Sequence, residues 1–92
     1  MMKVETSELH GKALLLVEGR LAGAFVPELE ASWRAAQASH PPRGIAVDLK
    51  NVTCVDRAGR SLLRSMHNNG VEFLRAGIAL QDILDQIIDV PE

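Results

Sequence analysis

The most constraining stretch of this sequence is residues 44–70, GIAVDLKNVTCVDRAGRSLLRSMHNNG, which predicts a buried strand, a short bend and a helix. The strand is predicted over residues 45–49, because an apolar run of this length is typical of a parallel strand covered by helices. Asp56 is predicted to cap the helix, since its carboxylate can accept hydrogen bonds from the free backbone N–H groups of the first turn. The segment therefore predicts one strand–turn–helix unit of an α/β fold.

The helix of this unit has one apolar side and a clear end. Leu62, Leu63 and Met66 recur at helical spacing and are predicted to face the core. Residues 68–70, Asn-Asn-Gly, tolerate the left-handed conformation and are predicted to end the helix. The polar turn before it, residues 55–60, is exposed in this interpretation and is where we expect the function to reside.

The rest of the chain predicts three more strands and two more helices. The strands are predicted at residues 3–9, 13–18 and 71–75, and the helices at residues 24–38 and 78–88. A loop is expected over residues 19–23. The order predicts a small mixed sheet of about four strands, with three helices packed mainly on one face. The apolar stripe of the first helix is predicted to be core rather than a binding groove, and it consists of Phe25, Leu29, Trp33 and Ala36.

Size and composition place the chain among small single domains. Its 92 residues predict one domain over residues 1–92, and a net charge of −2 argues against general nucleic-acid binding. A single cysteine allows no internal disulfide, which suits a reducing compartment. No apolar run approaches the ~20 residues that span a bilayer, and no secretory signal is apparent. We therefore expect a cytoplasmic protein without membrane insertion.

Groups that could perform catalysis are scattered in the sequence. The three histidines lie at no metal-ligand spacing and are expected on the surface, and Cys54 is expected to be a small buried residue. The chain has neither a nucleophile elbow nor a phosphate-binding Gly-Lys-Ser/Thr loop. We therefore expect no enzyme activity, no metal and no cofactor. Asp48 lies at the end of the central strand, where α/β sheets place ligand sites, but its more ordinary role would be to anchor the following loop through backbone N–H groups.

Arg57, Arg60 and Arg64 form a row of cations at the start of the predicted second helix. Cations in the first turn oppose the helix dipole, at a cost of a few tenths of a kcal/mol each when exposed. Together with free backbone donors they would attract an anion or an acidic protein surface. The alternative is a set of ordinary solvated arginines.

Residues 47–59, VDLKNVTCVDRAG, resemble the STAS family, the domain of anti-sigma factor antagonists and of sulfate-transporter tails. The family pattern is an apolar strand ending in Asp-Leu and, after a Val and a few more residues, an Asp-Ser-Ser-Gly or Asp-Ser-Thr-Gly that opens a helix. Asp56 and Gly59 match it, whereas Arg57 and Ala58 occupy the two hydroxyl positions. The resemblance extends to a strand and Gly-x-Leu turn at residues 16–21 and to the strand at residues 70–74.

The resemblance implies a non-catalytic protein-interaction module in bacterial signalling, either anti-sigma factor antagonist-like or a transporter accessory. In regulatory members a partner kinase phosphorylates the Ser after the Asp, so Arg57 argues against such a switch here. The partner would be an anti-sigma factor kinase, a sensor or a transporter subunit. The expected binding residues are Asp56, Arg57, Ala58, Gly59, Arg60 and Arg64.

The sequence leaves two alternative functions open. Ser61 or Thr53 could be a displaced phosphoacceptor, and the chain could instead be a small-molecule or nucleotide-binding regulatory domain.

The resemblance also bears on assembly. STAS domains usually continue with another strand and helix, so the chain is expected to be short at its C-terminus. This would leave a sheet edge or helix face uncovered and predicts a homodimer or a permanent partner chain.

Overall fold

The computed structural model describes residues 2–40 and 44–74. These residues form a four-stranded sheet and two helices, in the order β1 (Met2–Leu9), β2 (Lys12–Leu21), α1 (Phe25–Gln37), β3 (Ile45–Val55), α2 (Arg57–Asn68) and β4 (Glu72–Leu74). The small α/β architecture is confirmed with two helices, while the helix predicted over residues 78–88 lies outside the described residues. Within the described ranges, no helix is both long enough and apolar enough to cross a lipid bilayer.

The sheet is mixed and has the strand order β1-β2-β3-β4. β1 pairs with β2 antiparallel, whereas β2 with β3 and β3 with β4 are parallel. The hairpin turn consists of His10 and Gly11, whose φ angles are 53° and 78°. Positive φ at both central residues is what a two-residue hairpin turn needs in order to match the twist of its strands. The parallel pairs are linked through α1 and α2, as the alternation of strands and helices predicted.

The hydrophobic core lies between the sheet and the two helices, which also contact each other. Leu29 and Trp33 of α1 and Leu63 and Met66 of α2 are at most 1% exposed, which confirms both predicted helical stripes. A fully buried aliphatic side chain such as Leu29 or Leu63 contributes about 1.5–3 kcal/mol of hydrophobic free energy. Strand residues complete the core and include Leu15, Val17, Leu21, Ile45, Val47 and Leu49.

Two strands are longer than predicted. β3 continues to Val55 instead of ending at residue 49, because its last residues pair with β2 as far as Leu21. This extension was not predicted, because the residues after Leu49 are mostly polar. Their pairing with a distant strand leaves no local signal in the sequence. For the same reason, the loop predicted over residues 19–23 is wrong for residues 19–21, which belong to β2. The register shifts between Leu16 and Glu18 and again between Gly19 and Arg20, and the φ of 92° at Gly19 is readily adopted only by glycine.

Candidate functional site

Asp56 connects the start of α2 to the loop that precedes α1. Its Oδ1 accepts a hydrogen bond from the Gly59 N–H at 2.8 Å, and its Oδ2 accepts one from the Gly23 N–H at 2.9 Å. The backbone N–H of Asp56 donates to the carbonyl oxygen of Leu21 at 3.2 Å. The predicted helix-capping role of Asp56 is therefore confirmed, and the contact with Gly23 adds a tertiary bond that the sequence did not reveal.

The carboxylate of Asp56 is stabilised in its ionised form by these backbone donors. The Gly23 N–H and then the Gly59 N–H hold the pKa of Asp56 below its usual value, against a smaller opposing effect of desolvation. Both carboxylate oxygens thus accept bonds from the protein backbone. The ionised carboxylate thus links the loop before α1 to the first turn of α2.

Gly59 lets α2 approach the end of β2. A Cβ atom at this position would lie 2.5 Å from the carbonyl oxygen of Leu21 and 2.8 Å from Cγ1 of Val55, both too close for real atoms. Any side chain would push the first turn of α2 away from the sheet. Asp56 and Gly59, which carried the family resemblance, therefore have structural tasks at the turn.

Three guanidinium groups border the outer side of this turn, and we call Arg57, Arg60 and Arg64 the arginine ridge. They line an open groove of about 350 Å³ whose other lining residues are Val55, Asp56 and Ser61. All three arginine side chains are exposed, as is Ala58 beside them. In the part of the chain that the structure describes, none of the three forms an ion pair or a side-chain hydrogen bond. Since α2 contains no acidic residue, Asp56 is the one carboxylate among the described residues that line the groove, beside three arginines.

Asp48 lies apart from the arginine ridge. It is buried at 4% exposure, and its Oδ1 accepts the N–H of Lys50 at 2.9 Å. A separate cavity of about 110 Å³ borders it, with Leu16 and Asn51 among the lining residues. The hydrogen bond to Lys50 is the one expected of a carboxylate that anchors the local backbone, and the structure does not bring Asp48 together with the ridge.

The hydroxyl groups considered as displaced phosphoacceptors differ in their surroundings. Ser61 is exposed and lines the groove of the ridge, whereas the Thr53 hydroxyl donates to the carbonyl oxygen of Gly19 at 3.2 Å. Within the described ranges, no group of three or more His, Cys, Asp or Glu residues is arranged to hold a metal ion.

Cys54 lies on the surface rather than in the core, and His40 makes contacts that its sequence position does not indicate. Cys54 was expected to be buried but is exposed, because β3 continues past residue 49 and the side chains of its second half are largely exposed. His40, expected on the surface, is partly exposed, and its Nε2 lies 2.8 Å from Oε1 of Glu8 and its Nδ1 lies 3.3 Å from the carbonyl oxygen of Ala36. It ties the C-terminal end of α1 to β1 across 32 residues, a separation with no local signature.

No protein-family model matches this chain, and no curated protein sequence matches it. The STAS resemblance therefore stays a prediction that rests on the residues quoted for it. The geometry explains why two of those residues are needed at this turn. Asp56 fixes the turn through its hydrogen bonds, and Gly59 allows α2 to pack closely against the end of β2.

Proposed function

We propose that this chain is a non-catalytic protein-interaction module of STAS type, acting in the bacterial cytoplasm. It docks a protein partner through the turn Asp56–Arg60 and the arginine ridge. The resemblance suggests an anti-sigma factor kinase, a sensor protein or a transporter subunit as the partner. The chemistry of the ridge requires that this partner present carboxylates or other anions to it.

The observation that supports this proposal is that three exposed arginines line one groove and form no ion pair among the described residues. The one carboxylate of the groove, Asp56, accepts hydrogen bonds from the backbone N–H groups of Gly23 and Gly59. Guanidinium groups bind carboxylates in a bidentate, oriented manner, which gives specificity as well as attraction. A surface of one sign also steers an oppositely charged partner during encounter.

The proposed module is not switched by phosphorylation at the family position, because Arg57 and Ala58 have no hydroxyl group. Ser61 is the hydroxyl residue that lines the groove. Incubation with a partner kinase and ATP, followed by intact-mass measurement, should leave the mass unchanged. A gain of one phosphate, abolished by Ser61→Ala, would support the displaced-acceptor alternative instead.

Charge reversal on the ridge tests the docking proposal. The tagged chain and the double variant Arg57→Glu with Arg60→Glu are used to capture proteins from the native host, followed by mass spectrometry. The matched control is Lys50→Glu, which reverses an exposed cation of β3 outside the groove. We expect a partner that is retained by the wild type and by the control and is lost with the double variant. Retention by the double variant, when its circular dichroism shows that it is folded, would contradict the proposal.

A second candidate function is the binding of a small anionic ligand such as a nucleotide. A groove of about 350 Å³ is within the size range of small-molecule sites, and guanidinium groups bind phosphate. No glycine-rich loop is present to cradle the phosphates. A dose-dependent rise in Tm with ATP or GTP, absent from the double arginine variant, would favour this alternative.

A further inference from the structure

A row of small side chains runs beside the arginine ridge on α2, and we call it the small row. It consists of Ala58, Ser61 and Ser65, each of which directly follows an arginine of the ridge. All three are exposed, as the ridge is. Residues three and four positions apart lie on the same side of a helix, so the two rows follow α2 side by side over about 10 Å. The exposed side of α2 thus combines a row of positive charge with a row that has little bulk.

The length of the ridge distinguishes between two kinds of acidic partner. A rise of about 1.5 Å per residue separates Arg57 from Arg60 by roughly 4.5 Å along α2, and Arg60 from Arg64 by roughly 6 Å. Carboxylates at positions i, i+4 and i+7 of a second, antiparallel helix have the same separations. In an extended peptide, side chains on one side recur about every 6.7 Å, so three of them span roughly 13 Å and exceed the ridge. A helix therefore matches all three arginines.

The small row allows such a helix to approach α2. The axes of packed helices lie about 8–10 Å apart, and the distance depends on the size of the side chains at the contact. At Ala58, Ser61 and Ser65 no long side chain separates α2 from a neighbour. The carboxylates of a helix that lies over the small row are then beside the ridge, within reach of the long arginine side chains.

The direction of the second helix follows from the dipole of α2. Arg57 and Arg60 lie in the first turn, where positive charge opposes the dipole and no acidic residue is present. The C-terminal end of an antiparallel helix carries a partial negative charge and would lie next to these two arginines. Within the described ranges the ridge forms no ion pair, so a carboxylate of the second helix would supply its counter-charge.

We propose that the partner presents an acidic helix to this side of α2, antiparallel to it, with carboxylates at positions i, i+4 and i+7 paired with Arg64, Arg60 and Arg57. This inference rests on the proposed function, because it specifies the form of the partner that the ridge docks. Each exposed ion pair contributes little, so the contact is weak by itself and falls as salt is added. Its main effect is to orient the partner and to exclude helices whose charges are spaced differently.

Binding of designed peptides to the full chain tests the proposal. The matched peptide is rich in alanine and glutamine, has about 20 residues so that it is partly helical in water, and carries glutamates at i, i+4 and i+7. The control peptide has the same composition with glutamates at i, i+2 and i+5, which lie on different sides of a helix. Fluorescence anisotropy of rhodamine-labelled peptides at about 0.01 M salt should show that the matched peptide binds at least about fivefold more tightly.

Variants of the chain separate the charge of the ridge from its geometry. Arg57→Glu with Arg60→Glu should weaken binding of the matched peptide at least about tenfold, whereas the control Lys50→Glu, outside the groove, should change it by less than about twofold. If the double variant does not fold, Arg60→Gln removes one charge and should weaken binding by about threefold.

A second pair of substitutions tests the small row. Ser61→Gln with Ser65→Gln adds bulk beside the ridge without changing its charge, and glutamine is a good helix former. This variant should weaken binding of the matched peptide by about threefold or more, while circular dichroism confirms that it is folded.

Three results would overturn the inference. They are equal affinity for the matched and control peptides, unchanged binding by the folded glutamine variant, and no binding of the matched peptide at low salt up to about 1 mM. Partner capture with the arginine variants is read out separately. Capture that depends on the arginines, together with equal affinity for the two peptides, would reject this inference alone. Capture that survives charge reversal, together with a preference for the matched peptide, would reject the proposed function alone.

Discussion

The Oδ2 atom of Asp56 accepts a hydrogen bond from the backbone N–H of Gly23, a residue 33 positions earlier in the chain, at a distance of 2.9 Å. The other oxygen caps α2 through Gly59. One carboxylate thus holds the entry to α1 and the first turn of α2 in a fixed relation. The same carboxylate forms no ion pair with the arginine ridge among the described residues, although Asp56 also lines the groove.

Asp56→Asn should remove the bond to Gly23 while keeping part of the helix cap. The side-chain amide can still accept the Gly59 N–H through its oxygen, but its NH₂ group would face the Gly23 N–H, and two donors cannot bond. We expect a fall in Tm of about 5 °C near neutral pH. Thermal unfolding followed by the fluorescence of Trp33, the single tryptophan, measures it.

The effect of Asp56→Asn should depend on pH in one direction. The pKa of Asp56 is lower in the folded chain than the value of about 3.9 for an unfolded aspartate, so its contribution is complete above about pH 5. The contribution is lost as the pH falls through the folded pKa. The Tm difference between wild type and variant should therefore be constant above about pH 5 and shrink below about pH 4. Glu28→Gln, in the first turn of α1, is the control; a difference that instead grew toward acid pH would contradict the assignment.

Gly59→Ala should destabilise the fold although alanine is the better helix former. The added methyl group would lie within contact distance of Leu21 and Val55, so α2 must shift outward. Overpacking of this kind costs about 1–3 kcal/mol, more than the ~1 kcal/mol that alanine gains over glycine in a helix. Denaturant unfolding measures the free energy, with the exposed Ser65→Ala as the control on the same helix. If Gly59→Ala were as stable as the wild type or more stable, α2 would not lie as close to Leu21 and Val55 as described.

The sequence predicted the parts of this fold that depend on local patterns. The stripes of Leu29 with Trp33 and of Leu63 with Met66 follow from helical spacing, and the capping role of Asp56 follows from its residue type and position. The bond between Asp56 and Gly23 and the contact of Gly59 with Leu21 were not predictable. Both depend on how β2 and β3 pair, and this pairing joins residues more than 30 positions apart.

The same limit accounts for the errors. The polar residues after Leu49 were predicted to form a bend, whereas they continue β3 and pair with β2. The composition of a strand does not show which distant strand it pairs with. Cys54 was placed in the interior for the same reason. The contact of His40 with Glu8 joins the end of a helix to the edge strand. At the candidate site, the sequence located the arginines on one side of a helix but not the groove that they line.

Arg57→Glu should raise stability even if it abolishes partner binding. Arg57 is the first residue of α2, where a positive charge opposes the positive end of the helix dipole. Replacing it with an anion should stabilise the fold by about 0.3–1 kcal/mol, corresponding to a rise in Tm of a few degrees. Calorimetry at low salt measures the change, and about 1 M salt should suppress it. A lower Tm would mean that Arg57 makes stabilising contacts that are absent from the described residues.

Cys54 should react with a thiol reagent in the native state. It is the only cysteine and its side chain is exposed near the end of β3. We expect one equivalent of a disulfide reagent such as DTNB to react without denaturant, at a rate similar to that in denaturant. Native protein that reacts only after unfolding would contradict the exposure, and Cys54→Ser serves as the blank.

The two-residue turn at His10 and Gly11 constrains how β1 can vary. The turn sets the register in which Val4 lies opposite Val17 and Met2 opposite Gly19, with the side chains of Met2 and Val4 toward the core. Strand side chains alternate, so the insertion of one residue between Glu5 and the turn would place Lys3 and Glu5 at the inward positions of Met2 and Val4. Natural length variation in this hairpin should therefore come in steps of two, or be absorbed by a bulge.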